Sequence, residues 1–161
     1  GVMFVESPKA LIGIVQLLYR EDQYVDILLQ EYVKTDYDVR VIIVGGQIMG
    51  AMKRPIIDGD FRSNVSQGSE PEIHELTELE KEESIRAAKA VDGMIVGVDF
   101  IPAKNRDKDK PYFIEVNSTP GLMGIEAVYK DAASKPLIKD QKRSISKEIL
   151  SIFMNRDNWS I

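Results

Sequence analysis

Two apolar runs stand out in the sequence, Ile95-Val96-Gly97-Val98-Asp99-Phe100-Ile101 and Tyr112-Phe113-Ile114-Glu115-Val116. Both runs are rich in β-branched and aromatic residues, which are typical of β-strands. The segment between them, residues 102–111, is mostly charged and indicates a loop. The two runs are therefore predicted to pair as strands of a β-hairpin.

The register of this hairpin decides which polar side chains share a face. Asp99 falls opposite either Ile114 or Glu115, and the two strand sequences leave both pairings open. Because side chains alternate along a strand, only the second pairing puts Glu115 and Asn117 on the face of Asp99. Two carboxylates and an amide oxygen suit a hard cation such as Mg²⁺. The alternative is that Asp99 lies on a solvated face and that Asn117 begins a turn before Pro120-Gly121.

Composition indicates a single globular domain. The 161 residues are 43% apolar and 29% charged, and the net charge of -5 argues against a protein that grips a nucleic-acid backbone. There is no cysteine, no stretch with the apolar length of a membrane span and no signal peptide pattern. We expect a soluble, cytoplasmic protein with no membrane contact and no direct nucleic-acid binding, and the sequence leaves a homo-oligomer open. His74, the only histidine, is expected to be solvated.

The N-terminal part of the chain is predicted to hold one helix between two strands. Ser7 is a typical N-cap, Pro8 suits the first helical position, and apolar residues recur at helical spacing until about Glu21. Residues 2–5 are an apolar run that predicts a strand, and a second predicted strand covers residues 27–33, where the apolar run Ile27-Leu28-Leu29 leads into Gln30-Glu31-Tyr32-Val33.

A further hairpin is predicted around Gly45-Gly46, a strong two-residue turn signal. The strands on either side of the turn are Val39–Val44 and Gln47–Met52. Pairing outward from the turn sets Arg40 opposite Ala51 and Asp38 opposite Lys53. The resulting cluster of Asp38, Arg40 and Lys53 is either a surface ion-pair group or a site for a polyphosphate and a ribose.

Helices are predicted over much of the remaining sequence. Thr77-Glu78-Leu79-Glu80 has the capping-box pattern, and that helix should end near Asp92, with Gly93 in the left-handed conformation. A short helix begins after residue 121, and the last helix runs from about Lys135 to Phe153. The order of elements predicts an α+β fold in which an antiparallel sheet is backed by helices.

Five blocks of the sequence, in order and spacing, resemble the ATP-grasp ligases, and most closely the RimK-type branch, whose named member adds glutamate to the C-terminus of a ribosomal protein. The blocks are Gln30-Glu31-Tyr32-Val33, Asp38-Val39-Arg40, Gly59-Asp60-Phe61-Arg62-Ser63-Asn64, Gly97-Val98-Asp99 and Glu115-Val116-Asn117-Ser118-Thr119-Pro120-Gly121-Leu122-Met123-Gly124-Ile125-Glu126. The resemblance implies that Glu31 and the backbone of Tyr32 and Val33 hold the adenine side of ATP and that Asp38 contacts the nucleotide. The residues implied beside the phosphates and the reacting carboxylate are Arg62, Ser63 and Asn64.

The resemblance also implies the chemistry. Asp99, Glu115 and Asn117 would bind the Mg²⁺ or Mn²⁺ ions that bridge the triphosphate, and Arg62 and Arg40 would stabilise charge on the transferred phosphoryl group. The γ-phosphoryl would pass to a carboxylate, and an amine would attack the acyl-phosphate to form an amide. The substrates would be glutamate or a similar amino acid and a protein or peptide C-terminus.

Other functions remain open to the sequence. The substrates could be small molecules, as in glutathione synthetase or D-Ala-D-Ala ligase, or the chain could be a binding module that keeps the fold without the chemistry. ATP-grasp enzymes of this type begin with a substrate-side domain and a small subdomain with a lysine and a Gly-rich lid, which would precede Gly1. The resemblance therefore implies a single domain, residues 1–161, that forms the C-terminal portion of an ATP-grasp fold and by itself binds ATP weakly without turnover.

Overall fold

The computed structural model describes residues 2–56, 70–134 and 144–155. The chain divides into two compact units, Gly1–Lys34 and Thr35–Ile161, which are described separately. Among the described residues, every helix falls short of the length or the apolar character that crossing a lipid bilayer requires.

The first unit contains one helix, α1, Pro8–Glu21. The hydroxyl of Ser7 accepts a hydrogen bond from the Ala10 N–H at 3.2 Å, which confirms the predicted N-cap. The prediction of strands over residues 2–5 and 27–33 is wrong, because neither segment is a strand in the structure. Apolar and β-branched residues favour an extended backbone, but a strand also needs a neighbour for its hydrogen-bond ladder, and that pairing is not encoded locally.

The second unit is a five-stranded antiparallel sheet with helices on both faces, which confirms the predicted α+β fold. Its strands are β1 (Tyr37–Val44), β2 (Gln47–Pro55), β3 (Glu72–Ile73), β4 (Ile95–Ile101) and β5 (Tyr112–Asn117), in the spatial order β3-β2-β1-β4-β5. Its helices are α2 (Glu78–Ala90), α3 (Met123–Ser134) and α4 (Ile145–Met154). The strand β3, which is only two residues long, was not predicted from the sequence, and the predicted start of the last helix at Lys135 lies outside the described residues.

Two apolar cores lie on opposite faces of the sheet. One packs α2 against the face of β1 that carries Val41 and against Phe100 of β4. The other packs α3 and α4 against the opposite face, where Ile42 and Val44 of β1 are fully buried. Asp38 and Arg40 precede these two residues at the same parity, so this face of β1 changes from apolar to charged along its length.

The predicted hairpin at Gly45-Gly46 is confirmed, but its predicted register holds only near the turn. A β-bulge shifts the pairing, since Ile43 lies opposite Ile48 whereas Ile42 lies opposite Gly50. All pairs beyond the bulge move by one residue. Asp38 therefore lies opposite Arg54, and Arg40 lies opposite Met52.

This shift corrects the predicted cluster of Asp38, Arg40 and Lys53. Lys53 lies opposite Val39 on the other face of the hairpin, where it forms an ion pair with Glu72 at 2.9 Å. The sequence pattern could not reveal the shift because the extra residue in β2 interrupts the strict alternation on which the pairing was counted.

The predicted capping box of α2 is present in both halves. The Thr77 hydroxyl accepts from the Glu80 N–H at 3.2 Å, and the Glu80 carboxylate accepts from the Thr77 N–H at 3.0 Å. The left-handed residue after α2 is Asp92, with φ of 51°, and not Gly93 as predicted. Glycine is still required at 93, because a Cβ there would lie 2.5 Å from a methyl group of Val96.

His74 is buried, so the prediction of a solvated histidine is wrong. Its Nε2 lies 3.3 Å from the Glu80 carboxylate and 2.9 Å from the Arg106 guanidinium, and its ring packs edge-on against Phe100. Arg106 and Phe100 are distant from His74 in sequence, which explains why the acidic residues beside His74 were misleading. Burial acts to raise the pKa of Glu80, but the hydrogen bonds from Arg106, His74 and Thr77 outweigh it and lower the pKa from 4.5 to about 2.

The lowered pKa predicts how Glu80 contributes to stability as pH changes. A carboxyl whose pKa is lower in the folded chain stabilises the fold above its ordinary pKa, and this contribution is lost as pH falls from 4.5 to about 2. Glu80→Gln should therefore be less stable than the wild type at pH 7, and the difference should shrink towards pH ~2. Urea unfolding at several pH values measures it.

Glu78→Gln is the matched control on the same helix, because the Glu78 side chain is 91% exposed. Its free energy of unfolding should follow that of the wild type at every pH. A difference between wild type and Glu80→Gln that stays constant down to pH ~2 would contradict the assignment.

Candidate functional site

Four strands bring charged side chains together on the face of the sheet that also carries Ile42. We call this group the carboxylate–guanidinium cluster, and it consists of Asp38, Arg40, Arg54, Asp99 and Glu115. The cluster depends on the register of β4 and β5, in which Asp99 lies opposite Glu115 and Gly97 lies opposite Asn117. Of the two pairings that the sequence left open, the structure has the one that places both carboxylates on one face.

Arg40 joins β1 to β4 and β5. Its Nε donates to Asp99 Oδ1 at 2.7 Å and its Nη2 donates to Asp99 Oδ2, which is the bidentate geometry of a strong ion pair. The same Nη2 lies 3.5 Å from Glu115 Oε1. Arg40 and Asp99 are direct cross-strand partners, so the strand register itself holds this pair.

Arg54 is a member of the cluster that was not predicted from the sequence. It forms a bidentate pair with Asp38, with both distances at 2.7 Å, and its Nη2 also donates to Asp99 Oδ2 at 2.8 Å. Burial acts to lower the pKa of Arg54, but the hydrogen bonds and charges of Asp38 and Asp99 raise it above its ordinary value. In the sequence, Gly50 is the indication of the bulge that brings Arg54 opposite Asp38, because a glycine inside a strand often marks a bulge.

Asn117 sits where β5 ends and a turn begins. Its Oδ1 accepts the Thr119 N–H at 2.8 Å, so the alternative interpretation of Asn117 as a turn residue describes a real contact. The turn carries Pro120 onto Gly97, where a Cβ would lie 2.7 Å from the proline ring. Asn117 is therefore held both by the sheet pairing with Gly97 and by its own turn.

The donor set fits a divalent cation in chemical type. Within the described residues, no three or more His, Cys, Asp or Glu side chains are grouped closely enough to hold a metal ion. The candidate set is therefore limited to two carboxylates, Asp99 and Glu115, with the amide of Asn117. Asp99 is buried and already accepts three N–H bonds, which leaves about one of its roughly four lone-pair directions. The Glu115 side chain is 53% exposed and retains most of its acceptor capacity. A cation at this edge would thus take most of its protein oxygens from β5.

The other residues implied by the resemblance to ATP-grasp ligases belong to the first unit or lie outside the described residues. Glu31 and Tyr32 are exposed and Val33 is partly exposed, in a segment of the first unit that is neither helix nor strand. Within that unit the ring of Tyr32 packs edge-on against Phe4, with ring centroids 4.8 Å apart. The residues expected beside the phosphates lie outside the described part of the chain: Arg62, Ser63 and Asn64.

A groove of about 660 Å³ lies away from the cluster, between α2 and the turn that joins β1 to β2. Gly46, Lys81 and Lys89 are among its lining residues. It is at the turn end of β1, whereas Asp38 and Arg40 lie near the other end of that strand. The groove contains none of the candidate catalytic, nucleotide-binding or metal-binding residues.

Arg54 is expected to be essential to stability because two buried carboxylates depend on it. Arg54→Met should lower the free energy of unfolding by about 3–5 kcal/mol, since it leaves Asp38 buried without its guanidinium. Lys53→Met is the matched control, because its ion pair with Glu72 is exposed and such pairs contribute about 1 kcal/mol or less. Urea denaturation measures both. Equal losses in the two variants would contradict the assignment.

Comparison with known proteins agrees with the motif pattern. The family described as RimK-like ATP-grasp domain matches residues 1–140. A probable alpha-L-glutamate ligase from Xanthomonas euvesicatoria pv. vesicatoria is 34% identical over 149 residues, which cover 91% of this chain and 48% of that protein. One from Chromohalobacter salexigens is 38% identical over 138 residues, which cover 84% of this chain and 44% of that protein. The chain thus spans about half the length of these curated relatives.

Solved structures show the same fold at lower identity. The D-alanine–D-alanine ligase of Bacillus anthracis complexed with ATP aligns with a TM-score of 0.61 at 20% identity, covering 91% of this chain and 47% of that one. The macrocyclase MdnC of Microcystis aeruginosa MRC bound with its precursor peptide MdnA aligns with a TM-score of 0.60 at 19% identity, covering 96% and 43%. With the family match over most of its length, the chain belongs to the RimK-like ATP-grasp family.

Proposed function

We propose that this chain is the metal-binding part of an ATP-dependent carboxylate–amine ligase that adds glutamate to a carboxylate. The family match and the names of relatives at 34–38% identity, probable alpha-L-glutamate ligase, support the reaction class and the amino acid. The acceptor carboxylate in this proposal is the C-terminus of a protein or peptide, activated as an acyl-phosphate before the amine attacks.

One observation carries the proposal: Asp99 and Glu115 are direct cross-strand partners on the face that also holds Asn117. Strand partners on one face have Cβ atoms about 5 Å apart, which is close enough for both carboxylates to contact one small cation. A bound Mg²⁺ would supply neutralisation of the triphosphate charge.

The residues of this chain then have separate tasks in the proposal. Glu115 and Asn117 supply oxygens at the exposed edge of the sheet. Asp99 supplies its remaining lone pair and holds Arg40 through the bidentate pair. Arg40 keeps a guanidinium at the edge of the cation site, where it can donate to a transferred phosphoryl group, and Arg62 is proposed for the same task. Asp38 is proposed to contact the nucleotide.

A binding module without chemistry is the alternative from another functional class. A module of that kind would be expected to have lost one or more of the three metal-binding side chains, and all three are present in this chain. A small-molecule acceptor differs from the leading proposal only in the carboxylate substrate. Assays of glutamate addition to a peptide C-terminus and to free amino acids would separate these alternatives.

Glu115→Gln should weaken binding of the divalent cation without unfolding the chain. Loss of the charged ligand is expected to reduce Mn²⁺ affinity by roughly tenfold or more, while the exposed position of residue 115 keeps the free energy of unfolding within about 0.5 kcal/mol. Electron paramagnetic resonance of free Mn²⁺ measures the affinity of this chain. Turnover is measured as Mg²⁺-dependent ADP release by a longer protein in which the lysine and the Gly-rich lid precede this chain.

Asp109→Asn is the matched control, because it removes an exposed carboxylate from the loop that precedes β5. It should leave both the affinity and the ADP release unchanged. Retention of Mg²⁺-dependent ADP release by Glu115→Gln, or an equal loss of Mn²⁺ affinity in both variants, would overturn the assigned role of Glu115.

A further inference from the structure

The loop between β4 and β5 is tied to α2 by two ion pairs. Arg106 binds Glu80 and Lys110 binds Glu83, with closest distances of 2.7 and 2.9 Å. The two glutamates lie three residues apart on α2, and both are buried in spite of their charge. We call these two ion pairs the α2 clamp. It is on the α2 side of the sheet, whereas the carboxylate–guanidinium cluster is on the other side.

Arg106 is held at several points. Its Nε and Nη2 donate to the two oxygens of Glu80 at 2.8 and 2.7 Å, and Nη2 also donates to the Glu75 carbonyl. The backbone carbonyl of Arg106 accepts from the Thr77 hydroxyl at 3.1 Å. Both the backbone and the side chain of this loop residue are therefore fixed against the N-terminus of α2.

The loop matters because β5 is an edge strand. Among the residues that the structure describes, it pairs only with β4, and Tyr112, Phe113 and Ile114 remain substantially exposed. An edge strand has a ladder on one side only, so its register depends on what holds its two ends. Asn117 and its turn fix the C-terminal end of β5. The α2 clamp fixes the N-terminal end, together with the ring of Phe113, which packs edge-on against Phe100 with ring centroids 6.2 Å apart.

A bulge at Ile114 places Phe113 and Glu115 on opposite faces of the sheet. Phe113 lies opposite Phe100 and Glu115 lies opposite Asp99, so Ile114 is the extra residue without a cross-strand partner. Without this bulge Phe113 and Glu115 would share a face, because they are two residues apart. If Phe113 kept its partner in a regular ladder, Ile114 would move opposite Asp99 and Glu115 would turn towards the α2 core.

We propose that Arg106 is a positioning residue. Its ion pair with Glu80, assisted by the ion pair of Lys110 with Glu83, holds the N-terminal end of β5 in the bulged register. This register places Glu115 beside Asp99. Its value to the site rests on the proposed function, in which Glu115 binds the cation. Arg106 itself lies on the opposite side of the sheet and contacts neither the cation nor the substrates. It acts through the strand that follows its loop.

Hydrogen exchange of backbone amides, measured together with Mn²⁺ affinity, tests this proposal. Arg106→Met should speed exchange in β5 by roughly tenfold while exchange in the central hairpin of β1 and β2 changes little. Mn²⁺ affinity should fall by roughly tenfold, as is usual when support of a metal ligand is lost. Arg106→Lys keeps the charge without the planar fork and should recover part of both losses.

Two further variants keep the test decisive. Lys110→Met removes the milder half of the clamp, so it serves if Arg106→Met unfolds, and it should produce the same pattern at smaller size. Lys81→Met removes an exposed ion pair from the same helix, Lys81–Glu78, and should change neither measurement.

The possible results test the α2 clamp and the proposed function separately. Uniform acceleration of exchange in β1, β2 and β5 would overturn the proposal, because it would make Arg106 a general stabiliser of the fold. Faster exchange in β5 with unchanged Mn²⁺ affinity would also overturn it. If the wild-type chain binds no Mn²⁺, the proposed function fails, while the exchange comparison still decides whether the clamp holds the strand.

Discussion

The geometry of the whole cluster relies on the ion pairs of Asp99, whose buried carboxylate is held by two guanidiniums. A buried carboxylate is tolerated only when charge and hydrogen bonds compensate for its lost hydration. Arg40 supplies two of these bonds from β1, and Arg54 supplies a third from β2. Arg54 is itself neutralised by Asp38, so three strands are joined through alternating charges. Together with Glu115, the cluster has a formal net charge of -1 from three carboxylates and two guanidiniums.

Asp99 and Glu115 have different roles in the proposed cation site. Asp99 is nearly saturated by protein donors and is therefore best placed to fix geometry, whereas the exposed Glu115 can respond to a ligand. The cation itself would counter the negative charge that the two arginines leave uncompensated. A site with a rigid interior and an accessible edge is well suited to a metal that arrives together with a nucleotide.

Two irregularities in the sheet determine which side chains reach the cluster. The bulge in β2 brings Arg54, and not Lys53, opposite Asp38. The bulge in β5 lets Phe113 face the α2 core while Glu115 faces the cluster. Each bulge brings one charged side chain to the face that carries the cluster and leaves one residue without a cross-strand partner. Bulges commonly redirect side chains in this way at functional sites.

The sequence was sufficient for features that depend on local patterns. The strand composition of residues 37–117, the Gly45-Gly46 turn and the capping box each predicted an element that the structure contains, and alternation restricted Asp99 to two partners. The motifs that carry the family resemblance then favoured Glu115. What the sequence could not supply were non-local pairings. Arg54 depends on a bulge that interrupts the alternation, and the contact between Arg106 and Glu80 joins residues far apart in the chain.

The cation site is tested most sharply by a crystal structure of the chain grown with Mn²⁺ and a non-hydrolysable ATP analogue, with the metal located by its anomalous scattering. We expect Mn²⁺ within about 2.0–2.3 Å of oxygens of Asp99, Glu115 and Asn117, with Arg54 still bonded to Asp38. A metal bound elsewhere, with Glu115 left in solvent, would overturn the assignment of these three residues as metal ligands.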